Sequence, residues 1–438
     1  MFKKLIGDSA IYGLSAILIK SIGFLTLPIY TRIFSPEEFG LVEMFASIAG
    51  ILSILMTSGL DSAQTYFFME AKNTGHKSIK EITSSILKLR LLIGLTIVFV
   101  GSIFSFIILE FAFNTPPPTY FLWMALGSTF FGTLISQSLE IFRLIYAPWK
   151  YVALSSIQTL SGVGFALLFA YYFDWGVEGY LLGILVASSV TMLIGWFATK
   201  DYCDWTRVEN GLWGAFLKFG LPLLPAGLLV WVMQASDRWF IMKMMGSYEV
   251  GLYAVAAKVS LIVLVVVDTF RKACAPIAMD MMFRSDGSEF FKKIALWYVF
   301  FGSLFLIVIT LLAPFIIKII AAPEYFSTWK LIGVLSWSSV FYGFYIISAR
   351  GIIFKKQTHL TILAYGCGAI LNIIFNYLLI PIYGMMGAAL STILGLFVAN
   401  VIAMTISNKF YPIDWPWVRM LILIFTSLYF TFTYVDFI

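Results

Sequence analysis

The feature that most limits what this chain can become is a succession of apolar runs. Each is about 18 or more residues long and so able to cross the ~30 Å hydrocarbon core of a bilayer. Twelve lie at roughly 9–31, 38–61, 88–112, 119–142, 151–173, 177–199, 217–242, 250–271, 294–317, 329–349, 359–381 and 385–407, with a thirteenth at 418–436. A segment in oil has to satisfy its own backbone polar groups, and a helix does so. The expected fold is therefore all-α and integral to a membrane. Only 12% of the 438 residues are charged and 61% are hydrophobic, whereas soluble domains carry about a quarter charged residues. Little remains for a soluble domain; the longest polar connections are expected at about 62–87 and 272–293.

Lysine and arginine placement sets the expected orientation, because cytoplasmic loops retain positive charge. Of the 29 basic residues, Arg32, Lys243, Lys318 and Lys330 fall on one side, and Lys20, Arg238 and Lys258 lie within spans. The remaining 22 lie on the side of the amino terminus, which is expected to be cytoplasmic. The formal charge of +6 is then a property of the cytoplasmic face and implies no nucleic-acid partner. The first run exceeds 20 residues and continues into Tyr30-Thr31-Arg32 with no small-x-small cleavage site, so it reads as an uncleaved span. Cys203, Cys274 and Cys367 fall at the inner face or inside a span, where no structural disulfide is expected.

A hairpin of charged, apolar helices occurs twice. Arg32, Glu38, Gly40 and Leu41 are answered 211 residues later by Lys243, Glu249, Gly251 and Leu252. Arg143 is answered by Arg350 after 207 residues, and Gly176-Val177-Glu178-Gly179 by Gly384-Met385-Met386-Gly387 after 208. Three landmarks with one period imply two six-helix lobes. Six spans per lobe is an even number, so the lobes should be related by a pseudo-two-fold axis along the membrane normal, around a central cavity. The expected division is an amino-terminal lobe at 1–199, a cytoplasmic linker at 200–216, a second lobe at 217–408 and a carboxyl-terminal segment at 409–438. Pro28 in span one, and Pro222 and Pro225 in span seven, mark expected bends at corresponding places.

The deep charges concentrate in the repeated hairpins. Lys20, Glu43, Asp237, Arg238 and Lys258 lie in spans one, two, seven and eight. Each costs about 2.5–3.5 kcal/mol at mid-membrane on insertion scales, so they should face water or one another rather than lipid. A structural Lys20–Glu43 pair is the competing reading for the first hairpin, and Glu43 also sits close enough to the outer surface to reach water. Asp237 and Arg238 are adjacent, project about 100° apart on a helix and do not readily neutralise each other. Asp61, Asp268 and Arg271 sit at inner helix ends, as does Arg350, and are candidates for inner-gate or inner-face charges. Glu140 and Arg143 have the spacing of a local pair.

Enzymatic signatures are absent. There is no G-x-x-x-x-G-K-[ST] loop and no H-E-x-x-H. The two histidines, His76 and His359, stand far apart, and no cysteines have zinc-site spacing. No metal and no resident cofactor are expected.

The segments LTLPIYTRIFSPEEFGLVEMF, GLDSAQTYFFMEAK and FGLPLLPAGLLVWVMQASDRWFIMKMMGSYEVGLYAVAAKVS resemble the polysaccharide exporters. These are the Wzx-type flippases of the multidrug/oligosaccharidyl-lipid/polysaccharide superfamily. The resemblance implies movement of an undecaprenyl-diphosphate-linked oligosaccharide across a bacterial inner membrane, coupled to protons or sodium. It makes Lys20, Arg238 and Lys258 the cationic contacts for the diphosphate and sugar, and Asp237 and Glu43 the ion-coupling candidates. Implied partners are membrane lipids, a polysaccharide polymerase and a chain-length regulator. The family has twelve or fourteen spans, and a thirteenth at 418–436 departs from that count. Two other readings stand beside this one: a drug or small-metabolite cation antiporter of the same superfamily, and a membrane scaffold for polysaccharide assembly. Three basic against two acidic deep residues favour an anionic cargo.

Overall fold

The computed structural model describes residues 22–74, 78–204, 206, 209–355, 357 and 359–435. Among these, helices occupy every expected span and no strand occurs. Unit 1 gathers residues up to Phe34 and Leu41–Leu228; unit 2 gathers Ser35–Gly40 and Leu229–Ile438.

Unit 1 holds α1 (Leu27–Ile33), α2 (Pro36–Thr57, apart from its first turn), α3 (Leu60–Thr74), α4 (Ile79–Ile103), α5 (Ser105–Ala112), α6 (Thr119–Leu144), α7 (Pro148–Leu167), α8 (Gly176–Thr199) and α9 (Trp213–Gly220). Unit 2 holds most of α10 (Leu224–Met244), then α11 (Ser247–Met281), α12 (Gly287–Ile320), α13 (Trp329–Ser348), α14 (Arg350–Phe354), α15 (His359–Tyr383), α16 (Met385–Phe410) and α17 (Trp417–Tyr434). Eleven described helices are long and apolar enough to cross a bilayer. Two expected spans stand outside that number. Only residues 22–33 of the first are described. The fourth forms the 26-residue α6, whose apolar surface is diluted by Ser128, Thr129, Thr133, Gln137 and Ser138.

The start of α2 shows how local sequence makes an end. Ser35 caps it: the Glu38 amide donates to Ser35 Oγ at 3.3 Å, and the Ser35 amide donates to Glu38 Oε2 at 3.0 Å. This reciprocal capping box, with Pro36 at the first helical position, satisfies donors that the helix itself leaves unpaired. The proline-marked spans are interrupted as expected. The first breaks at Thr26, and the seventh contains a 3₁₀ turn, Leu221–Leu223, between α9 and α10.

Three boundaries depart from the sequence expectation. The second span ends at Thr57, not at residue 61: Ser58 and Gly59 turn with φ of 45° and 71°, and Asp61 lies in the first turn of a new helix that begins at Leu60. The polar stretch 62–87 is mostly helix, because α3 has an apolar face on which Leu60, Ala63 and Ala71 pack with Ile82, Ile86 and Leu89 of α4. The stretch 272–293 shrinks to a turn, since α11 runs to Met281 and α12 begins at Gly287. At the expected linker, Leu212 and Phe216 bury themselves in the α3–α4 cluster, and unit 1 extends to Leu228.

The repeat is written into the backbone. Gly176 and Gly384 adopt φ of 53° and 58°, a region that favours glycine. Three residues on, Gly179 lies against the carbonyl of Phe169 and Gly387 against that of Leu379. Within unit 2 the other landmark pair is reciprocal. A Cβ on Gly40 would strike the Ser247 carbonyl, and a Cβ on Gly251 would strike the Pro36 carbonyl. Glycine permits this backbone-to-backbone approach. Gly251→Ala must push the two helices apart, a change expected to cost about 1–3 kcal/mol and to lower the thermal midpoint of the purified protein. An unaltered midpoint would show that the crossing is loose.

Candidate functional site

Unit 2 contains a connected polar cluster inside apolar helices. Helix α10 brings Ser236, Asp237 and Arg238; α11 brings Tyr253; α15 brings Asn372 and Asn376, one turn apart on the same face; α16 brings Thr392. The Asp237 side chain is buried, with the residue 6% exposed. Its Oδ2 accepts from the Tyr253 hydroxyl at 2.5 Å, and its Oδ1 from the Arg238 amide at 2.9 Å. The Tyr253 hydroxyl also meets Thr392. From there Asn372 Nδ2 donates to Thr392 Oγ1 at 3.3 Å, while Ser236 and Asn376 Nδ2 donate to Asn372 Oδ1 at 3.0 and 3.2 Å. The amide oxygen of Asn376 is buried without a hydrogen-bond partner.

Arg238 makes the ion-pair question less absolute than its position beside Asp237 implies. Its Nη1 lies 3.5 Å from Asp237 Oδ1, a contact made by folding the long side chain back along the helix. The shorter bond of the same nitrogen goes to the Gln234 carbonyl at 3.0 Å. Asp237 is therefore held by hydrogen bonds from Tyr253 and the backbone as well as by this longer contact to the Arg238 charge. Lys258 is half-buried, with Nζ 5.8 Å from the centre of the Phe39 ring, a cation–π distance.

Glu43 is 7% exposed and so does not reach water by snorkelling. It is close enough to Tyr180 to act on it electrostatically, and Tyr180 packs edge-on to Tyr30 at 5.6 Å. Lys20 lies outside the described residues. Asp61 accepts from Arg90 Nη2 at 2.5 Å; Arg90 is fully buried and also donates to the Thr133 carbonyl at 3.0 Å. Glu140 and Arg143 form the expected local pair at 2.5 Å, joined by Thr65. Asp268 pairs with Arg271 at 3.2 Å. Arg350 is 7% exposed, and its Nε has no partner. The structure thus brings Asp237 and Arg238 together, and Asp268 and Arg271, while Glu43 and Asp61 belong to unit 1.

Sequence reasoning passed over Tyr253, Asn372, Asn376, Thr392 and Arg90. It counted formal charges at span centres, and asparagine carries none. The available signal was the Asn-x-x-x-Asn spacing in LNIIFNYLL, which puts two amides on one face of an apolar helix.

The cluster offers hard oxygen donors around one carboxylate, a set suited to a proton or a small monovalent cation. Among the described residues no group of three or more His, Cys, Asp or Glu side chains could hold a metal ion. Unit 1 has a cavity of about 300 Å³ lined by residues that include Gln137, Ser138, Thr199 and Cys203. Burial pushes the Cys203 thiol up to about 11. Because the thiolate is the reactive form, maleimide should alkylate Cys203 about 100-fold more slowly near neutral pH than an ordinary cysteine. The rate should keep rising as the pH approaches 11; a plateau near pH 9 in a single-cysteine protein would contradict this.

The overall fold matches solved transporters. It aligns with the lipid II flippase MurJ in an inward closed conformation, with a TM-score of 0.76 and 17% identity, over 97% of this chain and 92% of that one. It aligns with an inward-facing multidrug resistance MATE family transporter with a TM-score of 0.72 and 14% identity, over 93% and 96% of the two chains. This is an all-α, multi-pass integral membrane protein with a transporter fold. The chain belongs to the polysaccharide biosynthesis protein family, whose model matches residues 5–282. Among its relatives, Lsg locus putative protein 1 of Haemophilus influenzae is 24% identical over 282 residues, which cover 62% of this chain and 65% of that protein. An uncharacterized membrane protein of Methanocaldococcus jannaschii is 25% identical over 413 residues, covering 88% and 94%.

Proposed function

We propose that this protein moves a lipid-linked oligosaccharide, an undecaprenyl-diphosphate-bound repeat unit, from the inner to the outer leaflet of a bacterial cytoplasmic membrane. The apolar tail of such a donor stays in lipid, whereas its diphosphate and sugars cannot cross oil unaided. Lys258 and Arg238, with Lys20 from the first span, supply the compensating positive charge. Directionality comes from a proton or sodium ion bound at Asp237, with Asn372, Asn376 and Thr392 as neutral oxygen donors. A bound ion drives an alternating-access cycle only through different affinities for its states.

The observation that carries this reading is the Asp237–Tyr253–Thr392–Asn372 chain of hydrogen bonds inside bilayer-length helices. A polar cluster in that setting is costly to keep, and a scaffold would have no use for it. The family, a polysaccharide biosynthesis family, makes a sugar-bearing anion the natural cargo. A polymerase and a chain-length regulator would act downstream of it, with the amino terminus in the cytoplasm.

The test is a Lys258→Ala protein carried by cells that display the polysaccharide. Export should fall at least about tenfold, since a charge-assisted contact to phosphate contributes roughly 1.5–3 kcal/mol, while the amount of protein in the membrane stays constant. Normal display would remove Lys258 from the pathway. Efflux of an organic cation, with lipid-linked sugar left in place, would point to the antiporter instead.

A further inference from the structure

Arg350 presents an electrostatic problem that neither the cargo nor the coupling ion resolves. It opens α14, directly after the end of α13, and is 7% exposed. No carboxylate among the described residues pairs with it, and its Nε makes no hydrogen bond. The carboxyl end of α13 supplies roughly half an elementary negative charge at most, spread over its last turn, while a guanidinium carries a full positive one and does not deprotonate in proteins. A second arginine adds to the excess. Arg271 lines the same small cavity with Arg350, Phe270, Cys274, Phe291 and Gly343. Among the described ion pairs, Arg271 has one acidic partner, Asp268, at 3.2 Å.

The cavity has a volume of about 20 Å³, enough for one water-sized group, which needs roughly 10–15 Å³. It cannot enclose a whole phosphate, but it can take one oxygen of an anion whose remainder stays outside. Arg271 is 35% exposed in its side chain and forms the accessible side. Two guanidinium forks with one buried member are the arrangement that recognises phosphoryl oxygens.

We propose that the Arg271–Arg350 cavity is a phosphoryl-anion subsite, separate from the Asp237 cluster, in which one anionic oxygen compensates the buried Arg350. A phospholipid headgroup and free phosphate share this chemistry. The subsite does not depend on the identity of the transported sugar, so its test reads binding and not transport.

Purified protein in an uncharged, phosphate-free maltoside detergent is heated with inorganic phosphate, with chloride, or with gluconate at equal ionic strength. A parallel set receives phosphatidylglycerol in the same detergent. Wild type should be stabilised by phosphate or by phosphatidylglycerol: the first result names free phosphate as the source, the second a lipid headgroup. Arg350→Met removes the uncompensated charge. It should be at least as stable as wild type in the phosphate-free detergent alone and should not respond to either anion. Arg350→Lys keeps the charge without the fork and should bind about tenfold more weakly. The proposal is overturned if chloride protects as well as phosphate, if neither anion separates wild type from Arg350→Met, or if Arg350→Met is the less stable protein without anion. That last result would mean the guanidinium is already compensated within the fold.

Discussion

Asp237→Asn should leave a folded protein that no longer responds to an ion gradient. The amide stays close to the volume of the carboxylate; its oxygen can still accept from the Arg238 backbone N–H, and its Nδ2 can donate to the Tyr253 hydroxyl, so the contacts at 2.9 and 2.5 Å have replacements. What disappears is the negative charge that can hold a cation or exchange a proton. Coupling energies of about 1–3 kcal/mol correspond to 5–150-fold effects, and gradient-driven flipping in proteoliposomes should fall within that range. The thermal midpoint should change little. If collapsing the gradient slows Asp237→Asn as much as wild type, ion coupling resides elsewhere and Glu43 becomes the candidate.

The largest effect on stability is expected at Asp61. Arg90 is fully buried, and Asp61 is its one carboxylate partner among the described ion pairs, with a side chain 44% exposed. Removing the acid strands a charge that cannot neutralise itself. Breaking such a pair typically costs about 3–5 kcal/mol; the remaining bond from Arg90 to the Thr133 carbonyl at 3.0 Å places the expectation for Asp61→Ala near ~3 kcal/mol. The double variant Asp61→Leu with Arg90→Met should recover most of that loss, because Arg90→Met removes the buried charge that Asp61→Ala leaves unpaired. An Asp61→Ala protein that melts with wild type would show that water reaches Arg90.

Both predictions rest on groups that differ in how far they could be read from the chain. Asp237 stood out because a carboxylate in an apolar run is expensive wherever it points. Its setting did not: Tyr253, Asn372 and Thr392 come from three other helices, and no spacing in the chain links them. Nothing in the chain singles out Arg90 among the basic residues on the side of the amino terminus. Burial alone distinguishes it, and burial depends on α3 and α6 closing over it. Glu43 shows the reverse error. Its place near a span end suggested access to water, yet packing leaves it 7% exposed.

The helices of this protein were determined by its sequence alone, since an apolar run in lipid has no better way to satisfy its backbone than to coil upon itself. The repeat was determined there too, because Gly176 and Gly384, like Gly40 and Gly251, answer steric demands that only glycine meets. Tertiary structure decided which polar groups meet and which stay alone: Asp237 beside Tyr253, Asp61 against Arg90, Arg350 with no acid among the described ion pairs. The physical reason is that hydropathy is a property of a segment, whereas the partner of a buried charge is a property of the packing between segments.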